Sequence, residues 1–293
     1  MLASTETDVT GTRVLTAVLL VPVVVGIVLF APTWLVLMLS GAIILLALHE
    51  FFALGAKAGM PGYPRWTMAA TGILLLSQWV AIQVSQAGAD VIEVQYPWLR
   101  FLSIDFVLVA FALGSAVAAL ISKRPVNEVL GSASLSAGGF LFIAYPLCYL
   151  PALHSVGGNG RKLLLLTLVV VWAGDTAAYF VGRALGRHKL APAISPGKTW
   201  EGAAANVLAS AGAGLAFLPW LGISWGHLLG LGLVVSVAGQ VGDLLESAFK
   251  RSAAVKDSGN LLPGHGGVLD RIDALILAGP AAWWYLQMLV WPQ

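Results

Sequence analysis

Charged residues and cysteine are both scarce in this chain of 293 residues. Only 10% of the residues are Asp, Glu, Lys or Arg, whereas a soluble domain usually contains about 25%. Hydrophobic residues make up 58% and the mean hydropathy is +0.86, which predicts that the bilayer is the main solvent. The single cysteine, Cys148, excludes an intramolecular disulfide. The net charge of +2 is too small to indicate a nucleic-acid partner.

Long apolar runs divide the chain into nine predicted transmembrane helices. A helix needs about 20 mostly apolar residues to cross the bilayer. The runs are 14–31, 33–54, 66–84, 104–122, 138–154, 163–182, 201–219, 226–242 and 274–291. No convincing cleavage site follows the first run, so we expect a retained helix rather than a signal peptide. The expected fold is an all-α polytopic bundle, with residues 1–293 in a single membrane domain.

The distribution of lysine and arginine predicts the orientation of this bundle. Cytoplasmic loops retain these residues. With a cytoplasmic N-terminus, thirteen of the sixteen lie on the cytoplasmic side, and only Arg100, Arg161 and Lys162 lie outside. We therefore expect an integral protein of the cytoplasmic membrane. Chemistry with soluble substrates then belongs to two polar stretches on the cytoplasmic side, 183–200 and 243–273.

The stretch 243–273 combines acids, a hydroxyl group and cations. In helical register Asp243, Glu246, Ser247 and Lys250 share one face. The other polar residues of interest are Arg251, Lys256, His265, Asp270, Arg271 and Asp273. Such a mixture suits a divalent metal bound to a polyphosphate, because Mg²⁺ takes carboxylate and phosphate oxygens. It is equally typical of solvated interfacial charge with a capped helix start at Asp270, and spacing alone leaves both interpretations open.

Polar residues inside the apolar runs are further candidates. Asp175 lies deep in the sixth run, where a carboxylate is costly and usually faces a polar cavity. We expect Asp175 to line the site, and a hydrogen bond between packed helices is the alternative. Glu50, next to His49 in the second run, is a weaker candidate. His265 stands between glycines and is either a general acid or base or a structural turn residue.

A resemblance to a known family gives these residues a context. The segment SAFKRSAAVKDSGNLLPGHGGVLDRID, Ser247 to Asp273, resembles the signature of phosphatidate cytidylyltransferases at every constrained position. Residues 174–202, GDTAAYFVGRALGRHKLAPAISPGKTWEG, resemble a second recurring stretch of that family. The specific resemblance covers about the last 120 residues. Within it, Gly197-Lys198-Thr199 is not a P-loop, because Pro192 stands where that motif needs a glycine.

The resemblance implies nucleotidyl transfer in phospholipid biosynthesis. CTP and phosphatidic acid would react to give CDP-diacylglycerol and pyrophosphate, with membrane lipid around the enzyme. It also implies Mg²⁺, as one of two metal ions of which the other is monovalent, and a homodimer. The catalytic part would comprise about 163–293, after N-terminal spans at about 14–154.

Roles follow from the resemblance and from the spacing together. Asp243 and Asp270 are the expected metal ligands, with Glu246 and Asp273 as further or alternate ligands. The expected catalytic residues are Asp243, Ser247, Lys250, Asp270 and Asp273. The expected substrate-binding residues are Asp175, Ser195, Lys198, Thr199, Arg251, Lys256, His265 and Arg271.

Two other functions stay open at this point. One is a CTP-dependent transferase that acts on a different lipid phosphate, for which the same metal and nucleotide apparatus would serve. The other is an ion-coupled membrane transporter, since many apolar spans with a membrane-depth acid also suit a carrier. The crowding of acids on one surface and the lack of an evident inverted repeat favour the enzyme.

Overall fold

A computed structural model describes residues 20–87, 102–261 and 266–291, and helices dominate these ranges. The helices are α1 (Leu20–Phe30), α2 (Thr33–Lys57), α3 (Pro64–Ala87), α4 (Ile104–Ile121), α5 (Val126–Ser155), α6 (Gly160–Leu185), α7 (Trp200–Leu215), α8 (Leu218–Leu221), α9 (Trp225–Ser252) and α10 (Leu269–Tyr285). A π-helical turn, Leu286–Val290, continues α10. Two strands, β1 (Lys189–Ala191) and β2 (Ser195–Thr199), form an antiparallel hairpin between α6 and α7.

Six of these helices, α2 to α6 and α9, are long and apolar enough to cross a membrane. They correspond to six of the nine predicted spans, so a helical protein with several spans is confirmed. α7 and α10, with 16 and 17 residues, overlap two further predicted spans but are shorter. α1 overlaps the first, of which residues 14–19 lie outside the described ranges. The number nine and the cytoplasmic N-terminus stay predictions, and the β1–β2 hairpin was not foreseen.

Some predicted helix ends were wrong, and the sequence explains why. α5 begins at Val126 rather than at 138, after Pro125 and with Glu128 in its first turn. It then contains a π-helical turn at Phe140–Ala144, which ends two residues before Pro146, a residue with no backbone N–H to donate. α9 runs to Ser252, ten residues beyond the apolar run. Its polar end is therefore helical and not a loop.

Two hydrophobic clusters form the core, and α10 belongs to both. One cluster surrounds α6 and α9 and includes Ala274, Ala278 and Ala282 of α10. The other surrounds α2 and α5 and includes Leu269 and Ile276 of α10. The N-terminus of α10 therefore lies where the two halves of the chain meet.

Glycine allows the helices of the C-terminal half to approach closely. A Cβ atom at Gly232 of α9 would lie 2.7 Å from the carbonyl oxygen of Ser210 of α7. A Cβ atom at Gly242 would lie 2.5 Å from the carbonyl oxygen of Asp273. The second contact brings α9 and α10 together directly beside Asp243.

Candidate active site

The end of α9, strand β2 and the start of α10 bring most of the predicted residues together. As predicted, the polar residues of α9 share one face, since Ser247 Oγ lies 3.5 Å from Asp243 Oδ1 and Lys250 pairs with Glu246. Asp270 and Asp273 lie in the first turns of α10, also as the spacing predicted. Lys198 reaches the same place from β2.

The Lys250 pocket, formed by Lys250, Glu246 and Asp270, is nearly closed to solvent. The exposed fractions of these side chains are 12%, 1% and 7%. Lys250 Nζ donates to Asp270 Oδ1 at 2.7 Å. Asp270 Oδ2 accepts from the backbone N–H groups of Ser258 and Gly267, at 3.0 and 2.9 Å, and from Ser258 Oγ at 3.0 Å. Both oxygens of Asp270 thus have protein partners.

These contacts set the protonation of Asp270. Burial raises the pKa of its carboxyl, but the hydrogen bond from Lys250 and the N–H groups of Gly267 and Ser258 outweigh burial. The pKa of Asp270 therefore lies below its ordinary value, and the residue is a carboxylate at neutral pH.

The Lys198 pair, formed by Lys198 and Asp243, is more open. Lys198 Nζ lies 2.8 Å from Asp243 Oδ2, and the exposed fractions of the two side chains are 24% and 33%. An ammonium group has three N–H donors. The contact with Asp243 takes one of them, which leaves the others of Lys198 for an anionic ligand.

Asp175 borders this pair from α6. Its Oδ1 accepts from Asn206 Nδ2 of α7 at 3.2 Å, and Asn206 Oδ1 accepts from Ser236 Oγ of α9 at 2.7 Å. Asp175 itself is exposed. One turn further, the exposed Tyr179 accepts a hydrogen bond from Arg183 Nη1 at 2.9 Å. Asp175 therefore joins packed helices and at the same time faces open space beside the site.

Several carboxylic acids crowd together here. Burial raises the pKa of Asp273 well above its ordinary value, and the nearby carboxylates of Asp243, Glu246 and Asp175 raise it further. The cluster is formed by Asp175, Asp243, Glu246, Asp270 and Asp273, and Lys198 and Lys250 pair with members of it. Added positive charge stabilises the ionised form of carboxylic acids that are clustered in this way.

The chemistry of this donor set fits Mg²⁺. Within residues 20–87, 102–261 and 266–291, no three His, Cys, Asp or Glu side chains form a complete metal-binding group. Mg²⁺ usually takes only one or two carboxylates and completes its shell with water and substrate phosphates. Glu246 Oε1 is buried and has no hydrogen-bond partner in the part of the chain that the structure describes, and Asp243 is partly open. Asp243 and Asp270 as the ligand pair remain a prediction.

The other predicted site residues have various surroundings. Thr199 is buried, and its Oγ1 accepts from Gly202 N at 3.1 Å and so caps α7. Arg251 is exposed and donates to the carbonyl oxygens of Ile194 and Val255, at 3.1 and 2.9 Å, which fixes the hairpin to the end of α9. Ser195 is half-buried on β2, and Lys256 and Arg271 are exposed. His265 lies outside the described residues. Substrate binding by this set stays a prediction.

Comparison with known proteins identifies the family of this chain. A model described as the cytidylyltransferase family matches residues 11–289. The chain belongs to the cytidylyltransferase family. The phosphatidate cytidylyltransferase of Brucella suis biovar 1 (strain 1330) is 35% identical over 218 residues, which cover 71% of this chain and 78% of the relative. That of Bacillus subtilis (strain 168) is 37% identical over 186 residues, covering 63% and 68%. That of Staphylococcus aureus (strain COL) is 35% identical over 186 residues, covering 63% and 69%.

In this member of the cytidylyltransferase family, Glu50 contacts the site. The sequence analysis did not predict that contact. Glu50 lies in α2, is 3% exposed, and contacts the start of α10. Sequence reasoning noted it only as a weak candidate. The available signal was a glutamate within a predicted apolar span, where a buried acid needs hydrogen-bond donors.

Proposed function

We propose that this chain is a phosphatidate cytidylyltransferase, which forms CDP-diacylglycerol and pyrophosphate from CTP and phosphatidic acid. The observation that carries the proposal is the Lys198 pair beside a cluster of carboxylates, at the ends of α9 and α10. Available N–H donors suit phosphate oxygens, and unpaired carboxylates suit a cation that accompanies a polyphosphate. The names of the relatives support the choice of phosphatidate as acceptor.

The reaction is a substitution at phosphorus. An oxygen of the phosphatidate monoester forms a bond to the α-phosphorus of CTP, and the bond from that phosphorus to the oxygen bridging to the β-phosphorus breaks. The monoester is already anionic at neutral pH, so no strong base is required. The demand on the protein is electrostatic, because two anions must approach each other and negative charge develops on pyrophosphate.

The residues of the site meet this demand in different ways. Lys198 binds a phosphate of CTP or the lipid headgroup, and Lys250 fixes the charge of Asp270. Asp243 and Asp270 would hold Mg²⁺, with Glu246 and Asp273 as further or alternate ligands, and a monovalent ion would be the second metal. Bound Mg²⁺ supplies charge neutralisation of the phosphates.

The same proposal includes the orientation of the chain in the membrane and its assembly into a homodimer. Nine spans with a cytoplasmic N-terminus place the ends of α6 and α9 and the starts of α7 and α10 on the cytoplasmic side of the cytoplasmic membrane. The excess of lysine and arginine in the connecting segments of that side supports the orientation. CTP is soluble and would reach the site there, and the enzyme would be a homodimer.

The test uses the position of the label in CTP. Protein purified in detergent is mixed with phosphatidate micelles, Mg²⁺ and CTP labelled at either the α- or the γ-phosphorus. We expect the α label to enter the lipid and the γ label to remain in water, and EDTA to stop the transfer. Entry of the γ label would indicate a CTP-dependent kinase and contradict the proposal. Transfer to another lipid phosphate but not to phosphatidate would contradict the acceptor.

A further inference from the structure

The start of α10 has no cap from its own segment. The N-cap residue is Val268, whose side chain has no hydrogen-bonding group. The first N–H groups of a helix have no partner within it, and a local Ser, Thr, Asp or Asn usually supplies one. Here Glu50 of α2 supplies it: Oε1 accepts from Val268 N at 3.0 Å, and Oε2 accepts from Leu269 N at 2.8 Å.

Glu50 also reaches Asp270 through Ser258. Ser258 Oγ lies 3.0 Å from Glu50 Oε2 and 3.0 Å from Asp270 Oδ2. A hydroxyl group has one proton to donate, so the two carboxylates share it. Ser258 is 4% exposed, and water does not easily replace this contact. The position of Asp270 is therefore tied to Glu50 by a helix start and by a shared hydroxyl group.

Two glycines enclose the Glu50 carboxylate. A Cβ atom at Gly267 would lie 2.6 Å from Glu50 Oε2, and one at Gly259 would lie 2.8 Å from Glu50 Cδ. Larger residues at either position would displace the carboxylate or the backbone around it. Gly259 and Gly267 thus fit the side chain of one residue from the N-terminal half.

We propose that Glu50 is a positioning residue for nucleotidyl transfer. It holds the start of α10 and Ser258 so that Asp270 stands opposite Lys250. The proposal rests on the proposed function for its catalytic readout, while its structural readout is independent of any activity. Both Glu50 oxygens face donors, so Glu50→Gln would turn an amide NH₂ towards one of those donors.

The experiment compares Glu50→Gln with two control variants. His49→Gln changes the exposed neighbour of Glu50 on α2. Ser132→Ala removes a buried hydroxyl group of α5 that accepts from Arg124 and lies far along the chain from the segment 258–270. Activity per folded protein, the Mg²⁺ concentration at half-maximal activity and amide hydrogen exchange of residues 266–272 are measured for each. A residue that orients a metal ligand typically contributes about 10–100-fold in activity or metal affinity.

We expect Glu50→Gln to lower activity by about 10–100-fold, to raise the Mg²⁺ requirement and to accelerate exchange at residues 266–272. Both controls should leave these three quantities unchanged.

Unchanged exchange in Glu50→Gln, or a loss of activity that only follows the loss of folded protein, would overturn the proposal. If Glu50→Gln does not fold, Ser258→Ala keeps both backbone contacts of Glu50 and should still raise the Mg²⁺ requirement; an unchanged requirement would overturn the coupling. If Glu50→Gln accelerates exchange at residues 266–272 relative to the wild type but the wild type transfers no label, only the proposed function is contradicted.

Discussion

The Lys250 pocket and the Lys198 pair contain the same chemical groups in different surroundings. Lys250 is almost buried between two buried carboxylates, whereas Lys198 faces one carboxylate that is one-third exposed. Breaking a buried ion pair leaves an uncompensated charge, while a partly exposed pair contributes little to stability. The comparison favours two different roles: the Lys250 pocket maintains the geometry of the site, and the Lys198 pair binds the substrates.

The largest expected effect is that of Lys250→Met. The substitution keeps most of the length of the side chain but leaves Glu246 and Asp270 without the ammonium group of Lys250. We expect the free energy of unfolding to fall by about 3–5 kcal/mol and activity to be lost. Thermal or denaturant unfolding in detergent measures this, with exposed Lys189→Met as the control. A loss of activity at unchanged stability would remove the structural role of Lys250.

Asp243→Asn should separate activity from stability. Asp243 is one-third exposed, so we expect the free energy of unfolding to change by less than about 1 kcal/mol. Activity should fall by about 100-fold or more, because a charge that holds Mg²⁺ or orients Lys198 is lost. Transfer of α-labelled CTP into lipid and the unfolding midpoint are measured on the same preparation. Retained activity would place the substrates away from the Lys198 pair.

Variants of Thr199 test whether the cap of α7 supports the neighbouring Lys198 pair. Its hydroxyl group caps α7, so Thr199→Val should lower the free energy of unfolding by about 1–2 kcal/mol. Thr199→Ser keeps the cap oxygen and should retain most of the stability. A serine variant with wild-type stability but a much higher KM for CTP would instead show that the threonine methyl group shapes the substrate site.

The smallest expected effect is that of Arg251→Gln. Arg251 is exposed and holds the hairpin through two backbone carbonyl groups. We expect a change in the free energy of unfolding within about 0.5 kcal/mol and only a modest rise in the KM for CTP, through a less firmly held β2. A large rise in that KM without any change in stability would show that Arg251 contacts phosphate directly, as the sequence analysis predicted.

Local patterns predicted the parts of the site that lie within one segment. The i, i+3, i+4, i+7 spacing placed Asp243, Glu246, Ser247 and Lys250 on one face, and the structure confirms it. The family motif likewise predicted the chemistry. The cap from Glu50 could not be predicted, because 218 residues separate it from Val268 and no local pattern says which helix start a buried acid meets. The hairpin was missed because β1 has only three residues.

The contact between Glu50 of α2 and the start of α10 joins an early and a late part of the chain. Ribosomes produce α2 more than two hundred residues before α10, so the Glu50 carboxylate enters the bilayer long before its donors exist. Until α10 arrives, this acid must keep water or a proton, since an unpaired carboxylate in hydrocarbon is costly. Insertion of the helix that carries Asp270 would therefore both complete the core and relieve that cost. Assembly of the candidate active site then becomes a late step in the biogenesis of this protein.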